Sequence, residues 1–263
     1  MESVERFTGL ANVYAKSRPT YPAEALDFII SSCSLTSNSL VLDLGCGTGI
    51  FTRLLAERKL NIIGVEPNED MIKQALSAGG TEADSSTAYA TVTAGTPTYI
   101  QGTAEDSGLP DGQAQAIVCA QSFHWFQAEK ALEEMKRLLT PCGYAALIWN
   151  ERDEEDTFTR EYGELMRTAP DTRSVEMHRG IAGQALLHSQ LFQETTLTYF
   201  GNEQVMDEEG LLGRLFSTSY APREESLRAQ FAESARQICQ RHQKNGLVAM
   251  KYKTSVYLGR ACI

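Results

Sequence analysis

The stretch Val41-Leu42-Asp43-Leu44-Gly45-Cys46-Gly47-Thr48-Gly49 constrains this chain more than any other part of it. An apolar run ends in an acid, passes through three alternate glycines and enters a segment of helical periodicity. Glycine lets the backbone turn sharply there and approach a ligand where a Cβ would collide. The units that follow keep the same rhythm. Residues 39–44 read as a strand, 50–58 as a helix, 60–65 as a strand ending at Glu66-Pro67, and 69–77 as a helix. Further strands fall near 97–101, 114–120 and 143–149. A helix of about 127–139 carries Ala128, Ala131, Leu132, Met135, Leu138 and Leu139 at spacings of three and four. Strands apolar on both faces and alternating with helices predict an α/β domain around a buried, mostly parallel sheet.

With 263 residues and 42% of them apolar, the chain can bury one sizeable core. Its 24 Lys and Arg against 34 Asp and Glu leave a formal charge of -10, and no basic patch offsets that field, so nucleic acid is not an expected partner. The six cysteines (33, 46, 119, 142, 239, 262) are scattered without a CxxC, which is the usage of a reducing, cytoplasmic compartment. The four histidines show no zinc-ligand spacing, so no metal is expected. No apolar run approaches the ~18 residues that cross a bilayer, and the N-terminus lacks the basic start and apolar stretch of a secretory signal. A soluble cytoplasmic protein with no membrane partner is expected; oligomeric state is not legible.

One segment breaks the rhythm. In residues 77–96, Ser, Thr, Ala and Gly fill sixteen of twenty positions, which predicts a flexible surface loop. After Asn150 the pattern turns helical. A helix over 153–168 opens on the acids 153–156, which suit a helix N-terminus, and a second runs over roughly 223–244. The segments 194–201 and 247–258 alternate as strands of an antiparallel edge. The domain plan is therefore a single unit over 1–263. It has a cofactor core of about 35–150, an N-terminal lid segment of 1–34 and helical substrate-cap insertions of about 151–190 and 206–245.

Two nucleotide-type ligands compete for the glycine turn. A dinucleotide fold wants Gly-x-Gly-x-x-Gly, but Ile50 stands three positions after Gly47 and Gly49 is out of phase. Asp43 would set a carboxylate beside the ligand, unfavourable for a pyrophosphate and favourable for an ammonium. Glu66, 21 residues after Gly45, ends the next strand, where an acid can accept both hydroxyls of a ribose. Amino-acid end, ribose and turn together point to S-adenosylmethionine.

On these residues the sequence resembles the class I S-adenosylmethionine-dependent methyltransferases, in particular the small-molecule branch that includes trans-aconitate and ubiquinone-pathway methyltransferases. The resemblance is clear over about residues 6–150 and loose beyond. It implies a Rossmann-like seven-stranded, mostly parallel sheet with an antiparallel last strand and a helical lid. It also implies that Gly45 and Gly47 lie against the methionine portion, that Glu66 holds the ribose and that Met71 packs on the adenine. The segment Gly102-Thr103-Ala104-Glu105-Asp106 would meet the adenine edge. Many relatives have Asp where this chain has Thr103, and Glu105 is taken as the substitute.

Several other residues join the candidate site. In the stretch Tyr14 to Pro22, Tyr14 and Arg18 suit a lid over the cofactor, an aromatic face for a sulfonium and a guanidinium for the methionine carboxylate. Gln121, after the fourth strand, would lend backbone contacts to the methionine end. His124 is the one histidine placed where a group titrating near neutral pH would take a substrate proton. Trp149 and Arg152, with Asn150 between them, end the next strand and would face the acceptor, and Tyr220 is a further lid residue. Acceptors that arrive ionised, such as carboxylates, need no base, whereas a hydroxyl must lose its proton. The expected function is methyl transfer to a small molecule. The competing readings are an NAD(P)-dependent oxidoreductase and a non-catalytic S-adenosylmethionine-binding protein.

Overall fold

The computed structural model describes residues 18–169, 172–218, 221–222 and 224–262, the side chains of 172–178 and 180 excepted. In chain order the elements are α1 (Ala23–Ser32), β1 (Leu40–Leu44), α2 (Ile50–Glu57), β2 (Asn61–Glu66), α3 (Glu69–Ser77), β3 (Thr81–Glu82), α4 (Ala88–Thr91), β4 (Thr98–Gln101) and β5 (Ala114–Ala120). A 3-10 turn (Phe123–Trp125) leads to α5 (Ala128–Leu138) and β6 (Leu139–Arg152). The rest of the chain forms α6 (Thr157–Arg167), α7 (Thr172–Leu187), β7 (Phe192–Met206), α8 (Glu208–Phe216), α9 (Glu225–His242) and β8 (Val248–Ala261).

The strands form one sheet of order β3-β4-β2-β1-β5-β6-β8-β7. Every pairing from β3 to β6 is parallel, and β8 runs antiparallel between β6 and β7. The expected antiparallel last strand is present; the sheet has eight strands where seven were anticipated, because β3 adds a two-residue edge.

Side-chain alternation divides the core. Leu40, Leu42 and Leu44 of β1 face a cluster with α5 and Leu186 of α7, while Val41 faces α1 and α2 through Leu26, Ile29, Phe51 and Leu55. Residues 23–32 therefore belong to the core layer, and among the described residues of the anticipated lid over 1–34, Arg18, Pro19 and Tyr21, just before this helix, line the cavity described below. A separate cluster joins α6, α8 and α9 through Phe158, Tyr162, Leu215, Phe231 and Ile238 to the start of β8. This is the expected helical cap, built beyond the carboxyl ends of the parallel strands. The acids at its entrance are structural. Asp156 caps α6 by accepting from Thr159 N at 2.8 Å, and Asp153 and Glu155 both pair with Lys253 at 3.1 Å.

The segment 77–96 is not the open loop its composition suggests. Thr81 N donates to Pro97 O and Ala83 N to Tyr99 O, which docks β3 on β4. Asp84 Oδ1 then accepts from the backbone of Ser86 and Thr87, and Ala88 is fully buried in the main core. Small residues here permit close packing instead of preventing it.

One carboxylate lies inside the sheet. Asp43 follows the alternation of Val41 onto the α2 face, is 0% exposed, and accepts from Thr52 Oγ1 at 2.7 Å. Burial pushes its carboxyl up to about 7, against the lowering effect of the Thr52 bond and with a further raising effect from Glu66.

Two outcomes are expected. Ala88→Asp lowers the unfolding free energy by about 2 kcal/mol or more, because it buries a charge without a partner; an unshifted denaturation midpoint would mean the segment is undocked. Asp43 binds more protons folded than unfolded between pH 4 and 7, so its stabilisation is present below pH 4 and lost as pH rises through 7. Asp43→Asn should therefore gain on wild type by roughly 2 kcal/mol between pH 5 and pH 8 in chemical denaturation.

Candidate functional site

The carboxyl ends of β1, β2, β4, β5 and β6 open into one cavity of about 280 Å³, close to the lower end of the ~300–1,000 Å³ range of small-molecule sites. Parallel α/β sheets bind ligands in this crevice, where crossovers leave β1 in opposite directions.

The glycine turn is shaped by its neighbours. Gly45 has φ +68, and a Cβ there would stand 2.7 Å from Ser122 Cβ and 2.8 Å from Phe126 Cζ. Gly47 has φ +56, and a Cβ there would meet nothing within 4 Å, so on the cavity side it leaves space beside the backbone. Gly47 N donates to Glu66 Oε2 at 2.9 Å, and Asn68 N donates to Glu66 Oε1 at 3.0 Å. The Glu66 carboxylate is thus aimed by two amides at the cavity floor. It is 9% exposed, and burial pushes its carboxyl up to about 7 despite both bonds.

Met71 lines the cavity from the first turn of α3, whose N-cap Asn68 accepts from Met71 N at 3.1 Å. After β4, Thr103, Ala104 and Glu105 form the next wall. Thr103 Oγ1 accepts from Asp106 N at 3.0 Å and closes this small turn, while Glu105 Oε1 accepts from Gln127 N at 2.8 Å and ties it to the wall after β5. Gln121, at φ +60, holds a left-handed backbone that costs a non-glycine residue ~1 kcal/mol or more. Its N donates to Ile148 O and its Nε2 to Asn150 O, and its buried Oε1 has no hydrogen-bond partner among the described residues. A lone acceptor on this wall suits a ligand ammonium.

These features fit S-adenosylmethionine. Space beside Gly47, the acceptor on Gln121 and the paired oxygens of Glu66 match an amino-acid tail followed by a ribose. Arg18 also lines the cavity and donates from Nη2 to Ser217 O at 2.9 Å, linking the N-terminal strap to the end of α8.

Four of the expected site residues lie away from the cavity lining. Asp43 does not line the cavity; strand alternation puts it beneath the turn, on Thr52. Trp149 is 1% exposed and packs edge-on against Tyr257 at 5.5 Å, behind the wall. Arg152 lies outside the cavity, 3.8 Å from Glu154, which also holds Arg167. His124 is likewise not a lining residue. Its ring sits against Trp125 at 4.7 Å, and its Nδ1 accepts from Trp149 Nε1 at 3.2 Å. Its Nε2 also stands 3.4 Å from Arg179 Nε, so both ring nitrogens face neighbouring donors. Tyr14 and Tyr220 lie outside the described residues.

The cavity also contains residues that sequence reasoning did not select as site residues: Tyr21, Trp125, Phe126, Arg179 and Arg214, with Asn150. The run Phe123–Phe126 follows the fourth strand at the carboxyl end of the sheet, but which of its rings faces inward depends on the 3-10 turn. Arg179 and Arg214 sit in cap helices whose periodicity shows a buried stripe and not which polar residue overhangs the crevice.

Comparison with known proteins agrees with this geometry. Residues 42–147 match the methyltransferase domain family. The chain is 33% identical over 162 residues to an uncharacterized methyltransferase of Mycobacterium tuberculosis, covering 61% of this chain and 58% of that protein. It is 33% identical over 142 residues to an uncharacterized methyltransferase-like protein of Schizosaccharomyces pombe, covering 54% and 50%. The matches thus span between half and three fifths of these relatives. A solved structure from Anaeromyxobacter dehalogenans, assigned as a type II methyltransferase, superposes with TM-score 0.63 at 21% identity over 93% of this chain and 97% of that one. At that identity the likeness carries the fold. Residues 42–147 thus match a methyltransferase domain in sequence, and the chain as a whole shares the fold of a methyltransferase structure.

Proposed function

We propose that this chain transfers a methyl group from S-adenosylmethionine to a small-molecule acceptor, at a carboxylate or a hydroxyl oxygen. The observation that carries this reading is the joining of the glycine turn and Glu66 in one cavity by the 2.9 Å Gly47–Glu66 bond. The phase of the glycines, with Ile50 three positions after Gly47, disfavours the dinucleotide alternative.

Bound there, S-adenosylmethionine supplies an electrophilic methyl on a sulfonium, which a nucleophile displaces in line while the C–S electron pair returns to sulfur. The chain's own residues have to bind and align. Glu66 takes the ribose hydroxyls, Met71 and Ala104 cover the base, Glu105 takes the adenine amino group, and Gln121 with Arg18 holds the two charges of the amino-acid tail. Such positioning is worth up to ~7–11 kcal/mol of barrier. Trp125, Phe126 and the cap helices exclude water from the crevice.

The carboxylate is favoured as the reacting group. Among the described lining residues there is no histidine, and the two carboxylates, Glu66 and Glu105, are each held by backbone amides. An acceptor that arrives ionised needs no base. A small molecule, not a nucleic acid, also suits a formal charge of -10 and a crevice under a cap.

Calorimetric titration with S-adenosylhomocysteine and with NADH decides between cofactors: heat from the first alone is expected, and heat from NADH alone overturns the reading. A tritiated methyl donor offered with a metabolite extract should yield enzyme-dependent label; homocysteine-product binding without label would mark a non-catalytic binder. Glu66→Gln should weaken S-adenosylhomocysteine about tenfold or more, since a charge-assisted bond becomes neutral. Because the ionised carboxylate is the better acceptor and its pKa in the free protein is about 7, wild-type affinity should rise from pH 6 to pH 8 and the Gln variant's should not.

A further inference from the structure

The wall that follows β4 is a short loop closed on itself. Gly102 N donates to Glu66 O at 3.3 Å, and Thr103 N donates to Asp106 O at 3.2 Å. A Cβ at Gly102 would stand 3.1 Å from Ser107 O, so the two ends of the loop lie against each other.

From outside, the loop is fastened to α5 at two points. Glu105 Oε1 accepts from Gln127 N, at the entrance of this helix, at 2.8 Å. Two turns further on, Glu134 Oε1 accepts from Ser107 N at 3.0 Å and from Ser107 Oγ at 2.7 Å. Residues seven apart lie on one side of a helix, so α5 runs along the loop as a splint with a carboxylate bond at each end.

Glu134 and Ser107 are both buried. Arg137 Nε donates to Glu134 Oε2 and Arg137 Nη2 to Glu134 Oε1, each at 2.7 Å. Burial by itself would raise the Glu134 carboxyl, but the bonds from Arg137 and Ser107 hold it below the usual carboxylate range. It is therefore ionised at neutral pH, in contrast to Asp43 and Glu66, and its bonds to Ser107 are charge-assisted. Ala131, Leu132, Met135 and Leu138 already seat α5 in the main core, so the helix does not need an acid at 134 to stay on the sheet. What the acid holds is the loop.

The adenine amino group donates to a carboxylate, whereas a 6-oxo purine would turn an acceptor oxygen towards it. Discrimination between the two depends on where that carboxylate stands, because hydrogen bonds weaken steeply with distance and angle. Resting on the cofactor reading, we propose that Glu134 is a positioning residue for base recognition: through Ser107 it sets the 103–105 wall where Glu105 meets the adenine amino group, and so gives the site its preference for adenine over a 6-oxo purine.

The test is the binding of S-adenosylhomocysteine and S-inosylhomocysteine, which differ at the purine 6-position, to the full chain. Wild type should prefer the adenine compound by about tenfold or more. Glu134→Leu should cut that preference to about threefold or less, and Glu134→Gln, which keeps an acceptor for Ser107, should recover most of it. A purely structural role would lower both affinities together and leave their ratio unchanged. Ser107→Ala, which removes the hydroxyl bond and keeps the amide bond, should fall between wild type and Glu134→Leu, and it carries the test if Glu134→Leu misfolds. A wild-type ratio in Glu134→Leu, or in Ser107→Ala where Glu134→Leu misfolds, overturns the proposal, as does Glu134→Gln behaving like Glu134→Leu. Wild type that binds both compounds equally removes the contact between Glu105 and adenine and overturns it as well. Wild type that binds neither strikes the cofactor reading and the proposal with it.

Discussion

Two carboxylates are withdrawn from water at the adjoining tips of β1 and β2, and the site is arranged around that cost. Asp43 is sealed under the glycine turn and held by Thr52; Glu66 is held above it by the amides of Gly47 and Asn68. Both are pushed up to about 7 by burial, so near neutral pH neither is comfortably charged in the free protein. A buried acid contributes little to stability and is retained where its field is useful. The turn above Asp43 carries no side chain at Gly45 or Gly47, so only backbone separates the buried acid from the cavity.

The second constraint is the strap that closes the crevice. Asn150 and Asn202 both donate to Thr20 O, at 3.1 and 2.8 Å, and Asn150 accepts in turn from Thr254 at 2.6 Å. The ends of β6, β7 and β8 thus hold the segment just before α1, and Arg18 extends it to Ser217 at the end of α8. An antiparallel β8 is what brings Thr254 beside Asn150. Topology at the far edge of the sheet so positions a residue at the cofactor end.

What the sequence made legible was the chemistry that sits in consecutive residues at strand ends. The turn 43–49, Glu66, Met71, the 103–105 wall and Gln121 needed only the rule that parallel strands deliver their carboxyl ends to one crevice. Side-chain direction was the harder matter. Asp43 and Trp149 belong to strands whose alternation turns them into the core, and His124, in a 3-10 turn, sits against Trp125 and accepts from Trp149. Residues 77–96 looked too poor in bulk to pack, yet Ala88 fills the core because a close approach needs a small side chain. Arg179 and Arg214 carried no signal, since nothing local says which polar face of a cap helix meets a distant sheet.

That last blindness has a physical basis. Helices α6, α8 and α9 share an apolar cluster distinct from the two that flank the sheet, while α7 packs into the main core through Leu186. The family match ends at residue 147, before the cap begins, and both arginines lie beyond it. The cavity is thus floored by strand ends inside the matched region and overhung by helices beyond it, where a local apolar stripe does not say which polar residue meets a distant sheet and only the assembled cavity shows it.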